Sequence, residues 1–456
     1  MTAKSKAMTP DARADDYIAW LTGAVTPPHA VLACTERLLR AGFQPLTLAA
    51  PLQPAVGDRR FVVHPDGKSV IAFVVGERSP VATGFALVGA HTDSPDLRLR
   101  LNPMAAAAGT VQLTTQLHGG LIRRSWLDRP LALAGTVFEV LRGRGGKPVF
   151  HKLTGQPVLN RHLVHIDEPV AIIPDLAIHM DREKNDKGAI NPQTQLNAVL
   201  ASGDWDAERV MRELSQRTGV QLDRVDGFDL HLVPWHKPMR AGLDRSLVLG
   251  PRHDDLAMVY CGLEALIASV VRDPTPVRTR VAAFFDAEET GSQTASGAAS
   301  AFLRDVLVRL TRRHPDTDSA ADPEQAFAET ICLSADMAHA LHPNYMEVHD
   351  KQHAPTINGG PVLKANTNDR YATTGETAAI FAGLCEAAGV KVQDFVMRQD
   401  MACGTTIGPI TAASLAARTV DIGCPMWGMH SSCETLGAHD LAAMTDVMRV
   451  FFVGGA

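Results

Sequence analysis

Short apolar runs along the chain stop at turn-forming or acidic residues, and the clearest are 85–91, 281–285 and 331–335. Runs of this length are typical of strands that are buried on both faces. Residues 14–42 and 256–271 instead carry apolar side chains at helical spacing. This alternation predicts an α/β fold in which helices flank a central mixed sheet.

A different pattern occupies the middle of the chain. Residues 110–178 are rich in Thr, Val, Leu, Gly and His in short alternating runs, with a turn-forming stretch at 143–148. Alternation with a period of two is typical of β-strands. We therefore predict a catalytic α/β domain in two parts, 1–101 and 243–456, interrupted by a mainly β domain at 102–242.

Composition narrows the classes of function. The chain has 456 residues, 45% hydrophobic and 21% charged, and its net charge of −6 argues against a nucleic-acid surface. No apolar run reaches the roughly 18–20 residues of a membrane helix, and residues 1–9 are too polar for a secretory signal. The seven cysteines are scattered and do not suggest a disulfide framework. We expect a cytoplasmic protein without a nucleic-acid or membrane partner.

Two adjacent glutamates, Glu288 and Glu289, follow the apolar run 281–285. Neighbouring carboxylates at the end of a buried strand are costly unless a cation or a shared proton separates their roles. The roles would be separated, for example, if one carboxylate bound a metal and the other acted as a general base. Taken alone, the pair would more commonly be an exposed acidic loop, so its interpretation depends on other sites of the same kind.

Further acids and histidines have the same placement, and several of them follow strand-like runs. They are His91 with Asp93, Asp254 with Asp255, Asp336, and His430. Ligands of open α/β sheets gather beyond the carboxyl ends of the strands, so these residues are candidates for one site. A structural role for each histidine remains an alternative, as does a helix N-cap role for Asp336.

Seven segments resemble, in the same order, those of the aspartyl aminopeptidase family of dinuclear zinc exopeptidases. They are GAHTDSP, RHDDL, FFDAEETGS, SADMAHALHPNY, NGGPVLKANTNDRYAT, MACGTTIGPI and GMHSS. The resemblance extends from about residue 15 to the end of the chain. It departs where the family usually has Leu-Asp-Asn and this chain has His253, Asp254 and Asp255. Either aspartate could therefore bridge the metals, and alignment on the preceding Pro251 and Arg252 favours Asp254.

The resemblance implies a role for each of these residues. The metal ligands would be two histidines and three acids, namely His91, Asp254, Glu289, Asp336 and His430. Nitrogen and oxygen donors without a thiolate suit zinc, with cobalt or manganese as substitutes. Two zinc ions per subunit would activate a water molecule, with Glu288 as the general base and Asp93 orienting His91. Asp255 would cap the following helix or support the ligands.

The resemblance also implies how the substrate is selected. An acidic N-terminal side chain needs a cation in a pocket otherwise full of carboxylates, and Lys364 is the candidate. The alternative for Lys364 is a lysine on the surface. Tyr371 would donate a hydrogen bond from its hydroxyl to the reacting carbonyl. His179, in the inserted domain, would reach a neighbouring subunit's active site, and a metal role is the alternative. The insert would then be the oligomerisation domain of a homo-oligomer, a dodecamer built from dimers.

These features predict a metalloaminopeptidase that removes N-terminal residues from peptides and prefers Asp or Glu. A zinc carboxypeptidase or an amino-acid deacylase on the same fold is one alternative, and it would need a pocket arginine for a C-terminal carboxylate. A non-catalytic scaffold or cargo protein is the other. Against the latter, Glu288 and all the implied ligands are present in the chain.

Overall fold

A computed structural model describes residues 8–317 and 322–454. Residues 1–7, most of the polar segment on which the prediction of no secretory signal rests, lie outside the described residues. The chain divides into two compact units. We call Met1–Asp93, Pro238–Met429 and Glu434–Ala456 the α/β unit, and Ser94–Lys237 with His430–Cys433 the barrel unit.

The strands, in chain order, are β1 (Gln44–Leu46), β2 (Arg59–Val63), β3 (Val70–Val74), β4 (Ala86–His91), β5 (Asp96–Ala107), β6 (Thr110–His118), β7 (Pro130–Val140), β8 (Leu159–Ile172), β9 (Ala198–Ser202), β10 (Gly227–Pro234), β11 (Met239–Ala241), β12 (Leu247–Gly250), β13 (Arg280–Phe285), β14 (Ile331–Ala335), β15 (Ala338–His339), β16 (Val362–Ala365), β17 (Gln393–Val396), β18 (Arg418–Gly423), β19 (Pro425–Trp427) and β20 (Glu434–Gly437). The α-helices are α1 (Pro10–Gly23), α2 (Pro27–Arg40), α3 (Pro80–Thr83), α4 (Lys184–Lys187), α5 (Ala207–Thr218), α6 (His253–Arg272), α7 (Phe302–Arg313), α8 (Pro323–Ala328), α9 (Gly375–Ala388), α10 (Ile407–Leu415) and α11 (Asp440–Val453). Within the described residues, none of these helices combines the length and the apolar character that crossing a bilayer would require.

The main sheet of the α/β unit has the strand order β1-β2-β3-β13-β4-β14-β18-β16-β17. β4 lies between β13 and β14 and runs parallel to both, with His91 beside Phe285 in the register. Because parallel strands end at the same edge, the residues that follow β4, β13 and β14 emerge close together. β3 runs antiparallel to β13 and β16 antiparallel to β18, so the sheet is mixed.

Helices cover both faces of this sheet. Every residue of β4 and β13 is buried, as expected for strands with apolar neighbours above and below. On one face, Val88 packs in a core with Met448 of α11 and residues of α6 and α9. On the other face, Phe285 packs with Leu307 of α7 and residues of α10. The predicted α/β architecture, a mixed sheet flanked by helices, is confirmed.

The barrel unit is built from the strands in the middle of the chain. Its strand order is β10-β5-β6-β9-β8-β7, and the strands close into a barrel. Apolar side chains that alternate along the strands, including Leu97, Leu113, Val137 and Leu232, fill its core. Closure satisfies strand edges that an open sheet would expose. A second, smaller sheet with the order β11-β12-β20-β19-β15 belongs to the α/β unit.

The borders of the barrel unit differ from the predicted 102–242. The unit starts at Ser94 because the first residues of β5 already pair inside the barrel, Asp96 with β6 and Arg98 with β10. It ends at Lys237, soon after β10. The short segment His430–Cys433 also groups with the barrel unit, although the sequence assigned it to the second part of the catalytic domain.

A close approach between two backbone segments, before β4 and before β14, allows the packing of the main sheet to be tested. Gly84 has a φ of 62°, and a Cβ there would overlap the backbone of Glu329 and Thr330. Gly84→Ala should therefore lower the free energy of unfolding by roughly 2–6 kcal/mol, because overpacking and an unfavourable backbone angle each cost about 1–3 kcal/mol. Urea denaturation followed by circular dichroism measures the change.

Gly383 in α9 is the matched control. A Cβ at this position meets no atom of the described residues within 4 Å. Gly383→Ala should raise the free energy of unfolding by about 0.5–1 kcal/mol, since alanine favours the helix. Equal stability of wild type and Gly84→Ala would contradict the packing described before β4.

Candidate active site

Acids and one histidine meet at the carboxyl edge of the main sheet. His91, Asp254, Asp255 and Asp336 each offer a ligand atom, and these atoms lie within 4.8 Å of one another. All four residues are buried. A second group, with the same spacing, joins His91 to Glu288 and Glu289. The structure thus brings together the predicted site residues that follow β4, β13 and β14.

The orientation of His91 is set on both sides of its ring. Its Nδ1 lies 3.0 Å from the backbone carbonyl of Asp93, which can only accept, so Nδ1 carries the proton. Its Nε2 lies 3.5 Å from Oδ1 of Asp254 and 4.0 Å from Oε2 of Glu288. The ring is therefore oriented so that Nε2, the nitrogen through which it would bind a metal, points to the acids.

Asp93 holds the loop of the two glutamates. Its Oδ1 accepts a hydrogen bond from the backbone amide of Glu288 at 3.0 Å, and its Oδ2 accepts one from the amide of Glu289 at 3.3 Å. The carboxylate lies farther from His91, with Oδ1 3.4 Å from Nδ1. The predicted orienting effect on His91 is thus exerted mainly by the Asp93 carbonyl, while its carboxylate holds the backbone that carries Glu288 and Glu289.

The loop after β13 turns sharply to present those glutamates. Ala287 has a φ of 64°, and Glu288–Thr290 form a single 3-10 turn. Glu288 and Glu289 are half-buried. Adjacent side chains of a tight turn point in different directions, so the two carboxylates are able to take different roles.

Asp254 and Asp255 lie at the start of α6 with non-helical backbone angles. Oδ2 of Asp255 accepts a hydrogen bond from the backbone amide of His91 at 3.0 Å. The backbone amide of Asp254 donates to Oε2 of Glu434 at 3.2 Å. Glu434 is a buried residue that the sequence analysis did not single out, although a glutamate two residues after the GMHSS segment was a visible signal.

The carboxylates of this cluster are buried close together and repel one another. Burial raises the pKa of Glu288 to about 8, with Asp336 and Glu289 adding to the effect and His91 opposing it. Burial likewise raises the pKa of Asp336 to about 6 and that of Asp255 well above its usual value. Carboxylates crowded in this way need a compensating cation. The donors are imidazole nitrogen and carboxylate oxygen, which suit zinc. The residues present therefore fit a metal.

Lys364 and Tyr371 lie next to Asp336. Lys364 is only 2% exposed, so the alternative of a surface lysine is wrong. Its Nζ donates to the backbone carbonyls of Asp336 and Met337 at 2.9 and 3.2 Å and lies 3.7 Å from Oδ2 of Asp336. The Tyr371 ring centroid is 5.2 Å from the same ammonium. The helix N-cap alternative for Asp336 is also wrong, because the chain continues from it into strand β15.

The remaining predicted residues belong to the barrel unit. Nδ1 of His430 lies 3.0 Å from the backbone carbonyl of Gly120, which accepts a hydrogen bond from it. His179 is exposed in a turn between β8 and β9. Their predicted roles, as a metal ligand and as a residue that reaches a neighbouring subunit, stay predictions.

Comparison with known proteins places the chain in a family. The model for the aminopeptidase I zinc metalloproteases (M18) matches residues 20–452. A probable M18 family aminopeptidase 2 of Pseudomonas putida (strain F1) is 39% identical over 448 residues, which cover 97% of this chain and 98% of that protein. One of Azotobacter vinelandii is 40% identical over 441 residues, covering 95% and 96%.

Solved structures agree with this placement. A chain in the cryo-EM structure of the Ape4 and Nbr1 complex has a TM-score of 0.90 at 31% identity, covering 98% of this chain and 87% of that one. The S. cerevisiae mApe1 dodecamer has a TM-score of 0.82 at 25% identity, covering 97% and 96%. The predicted resemblance and the predicted aminopeptidase activity are both confirmed: the chain belongs to the peptidase M18 family of zinc aminopeptidases, the aspartyl aminopeptidase family.

Proposed function

We propose that this aminopeptidase uses two zinc ions and the general base Glu288 to hydrolyse the N-terminal residue of peptides, with a preference for Asp and Glu. The observation that carries the proposal is the placement of Glu288 against the buried nitrogen and oxygen cluster at one sheet edge. A general base beside metal ligands is an arrangement that supports metal-assisted hydrolysis of a peptide bond.

The proposed ligands are those implied by the sequence, namely His91, Asp254, Glu289, Asp336 and His430. When bound, zinc polarises the scissile carbonyl and lowers the pKa of water, and cobalt or manganese would accept the same donors. Asp254 is favoured over Asp255 as the shared ligand because Oδ2 of Asp255 already binds the His91 amide, whereas Oδ1 of Asp254 faces Nε2 of His91.

Glu288 and Tyr371 are proposed to act on the reacting atoms. Glu288 accepts the proton of the attacking water and returns it to the leaving amine. Asp93 keeps Glu288 in reach by holding its backbone amide. Burial, assisted by a hydrogen bond with Cys403, raises the pKa of Tyr371, so its hydroxyl stays protonated. Tyr371 is therefore able to donate to the oxygen of the substrate carbonyl.

Lys364 is proposed to select acidic substrates. An ammonium has three N–H donors, and the carbonyls of Asp336 and Met337 occupy two of them. The third N–H is proposed to bind the carboxylate of the substrate, beside Oδ2 of Asp336, which lies 3.7 Å from Nζ. A substrate side chain with a negative charge would be repelled by the acids of the site unless such a buried cation received it.

The assembly is proposed to be a homo-oligomer, since a solved relative is described as a dodecamer. We propose a dodecamer built from dimers through the barrel unit, with His179 completing the active site of a neighbour. A cytoplasmic location is proposed as well, because no disulfide joins cysteines within the described part of the chain.

The first prediction separates the two glutamates. Glu288→Gln keeps the size of the side chain and should lower kcat by roughly 10²–10⁴-fold, because the general base is lost. Elemental analysis should still find two zinc ions per subunit, whereas the matched variant Glu289→Gln should bind less metal. Activity is measured with a panel of acidic, neutral and basic aminoacyl-anilides.

Three results would contradict the proposal. Loss of metal in Glu288→Gln would show that Glu288 is a metal ligand and that Glu289 is the general base. One zinc ion per subunit under zinc-replete conditions would exclude a pair of metals. Faster hydrolysis of neutral than of acidic anilides by the wild-type protein would exclude the acidic preference.

The second prediction concerns Lys364. Lys364→Met should lower kcat/KM for aspartyl and glutamyl substrates by about 10–150-fold, since a hydrogen bond to a charged group contributes roughly 1.5–3 kcal/mol. Hydrolysis of a leucyl substrate should change much less. Lys391→Met, an exposed lysine before β17, is the control. Equal losses on acidic and neutral substrates would assign Lys364 to holding Asp336 instead.

The third prediction concerns His179. His179→Ala should lower kcat although the residue lies in the barrel unit, because it is proposed to act in a neighbouring subunit. His151→Ala, another exposed histidine of the barrel unit, should leave kcat unchanged. Light scattering gives the oligomeric state of each variant. A fully active monomer of the wild-type chain would refute a histidine that acts between subunits.

A further inference from the structure

A buried aspartate outside the metal cluster gathers donors from three separate segments. Asp421 lies in β18 and is 0% exposed. Its Oδ1 accepts hydrogen bonds from the hydroxyls of Ser334 and Thr406, both at 2.7 Å. Its Oδ2 accepts one from the backbone amide of Ala372 at 2.6 Å. A buried carboxylate is tolerated only when its oxygens are satisfied in this way.

Each donor lies close in sequence to a residue of the site. Ser334 is two positions before Asp336, Ala372 directly follows Tyr371, and Thr406 follows Cys403 at the start of α10. Cys403 packs against the small cluster that contains Tyr371. Asp421 therefore ties β14, the strand directly before Asp336, to the two loops that surround the Tyr371 side chain.

The surroundings of Asp421 are shaped to admit its carboxylate. A Cβ at Gly408 would overlap both carboxylate oxygens, so the first turn of α10 approaches closely only because residue 408 is glycine. The backbone amide of Asp421 donates to the hydroxyl of Thr373 at 2.9 Å, which adds a second bond to the segment after Tyr371. Side chain and backbone thus hold the same segment.

We propose that Asp421 is a positioning residue for catalysis, which fixes the Tyr371 hydroxyl relative to Asp336 and Lys364 through its bonds to Ala372, Thr406 and Ser334. The inference rests on the proposed role of Tyr371 as a donor to the substrate carbonyl. The Tyr371 segment has to be held from outside because residues 367–370, directly before it, form a turn with exposed side chains. Displacement of a catalytic group by about 1 Å costs on the order of 10²-fold in rate.

A double-mutant cycle tests the proposal in the zinc-loaded protein. Asp421→Ala should lower kcat on an aspartyl-anilide about 10²-fold with a much smaller change in KM. In the background of Tyr371→Phe, which lacks the hydroxyl, the same substitution should lower kcat less than about threefold, because residues that act through one another are not additive. Losses that multiply in the double variant would overturn the proposal.

Asp421→Asn supplies the conservative control. Its amide oxygen can accept from the Ala372 amide while its NH₂ donates to the hydroxyls of Ser334 and Thr406, which can reverse their roles. This variant should recover at least tenfold of the kcat lost in Asp421→Ala. If Asp421→Ala does not fold, Thr406→Val takes its place in the cycle, with a smaller loss that should again vanish in Tyr371→Phe.

A readout that needs no activity separates this inference from the proposed function. Cys403 is half-buried and should react with iodoacetamide about tenfold faster in Asp421→Ala, because the 402–406 loop is released. Cys433, also half-buried, should react at an unchanged rate. Peptide mass spectrometry measures both rates. If Cys403 is labelled at the same rate in Asp421→Ala and in the wild-type protein, the inference is overturned. If Cys403 is labelled faster in Asp421→Ala but the wild-type protein has no activity, only the proposed function is overturned.

Discussion

Carboxylates that are withdrawn from water repel one another, and Asp254, Asp255, Asp336 and Glu288 are held in that situation at the carboxyl edge of the main sheet. Burial favours the protonated forms of Asp255, Asp336 and Glu288, and it raises the pKa of each of them. The fold therefore has to bring positive charge to the same edge. His91 supplies part of it, and a zinc ion, the metal that the description of this family names, would compensate the rest.

This electrostatic requirement explains why the neighbouring loops are held so firmly. Asp93 and Asp421 are both buried acids whose oxygens accept hydrogen bonds from backbone amides. Asp93 holds the turn of Glu288 and Glu289, and Asp421 holds the segment after Tyr371. In both cases, a buried carboxylate thus holds a loop through hydrogen bonds from backbone amides. A carboxylate suits this task because its oxygens accept several hydrogen bonds at once.

Lys364 illustrates how burial changes the interpretation of a residue. A lysine flanked by apolar residues in a strand could have been a surface residue, and its flanks did not decide the question. In the folded protein its ammonium lies under Tyr371 and beside Asp336. The cost of removing an ammonium from water is offset by two carbonyls and a nearby carboxylate. The position thus becomes a buried cation at the edge of the metal cluster.

The sequence by itself determined three central strands of the main sheet, β4, β13 and β14, and the acids and the histidine at their ends. The reason is local: continuous apolar runs predict buried strands, and parallel strands must present the residues that follow them at one edge. Glu434 and Asp421 were missed, although an aspartate within the apolar stretch of β18 was a signal that could have been used. The sequence pattern also placed the barrel unit's first border inside β5, because alternation along that strand is weak.

Only the tertiary structure decided which atoms meet. Asp93 binds amides nearly two hundred residues away along the chain, and Asp421 binds donors from three segments that are far apart in sequence. No periodicity or spacing encodes such partners, since they depend on how strands from different parts of the chain are ordered in the sheet. The residue types of the site could therefore be predicted from the sequence, whereas the contacts that each of them makes depend on the packing of the fold.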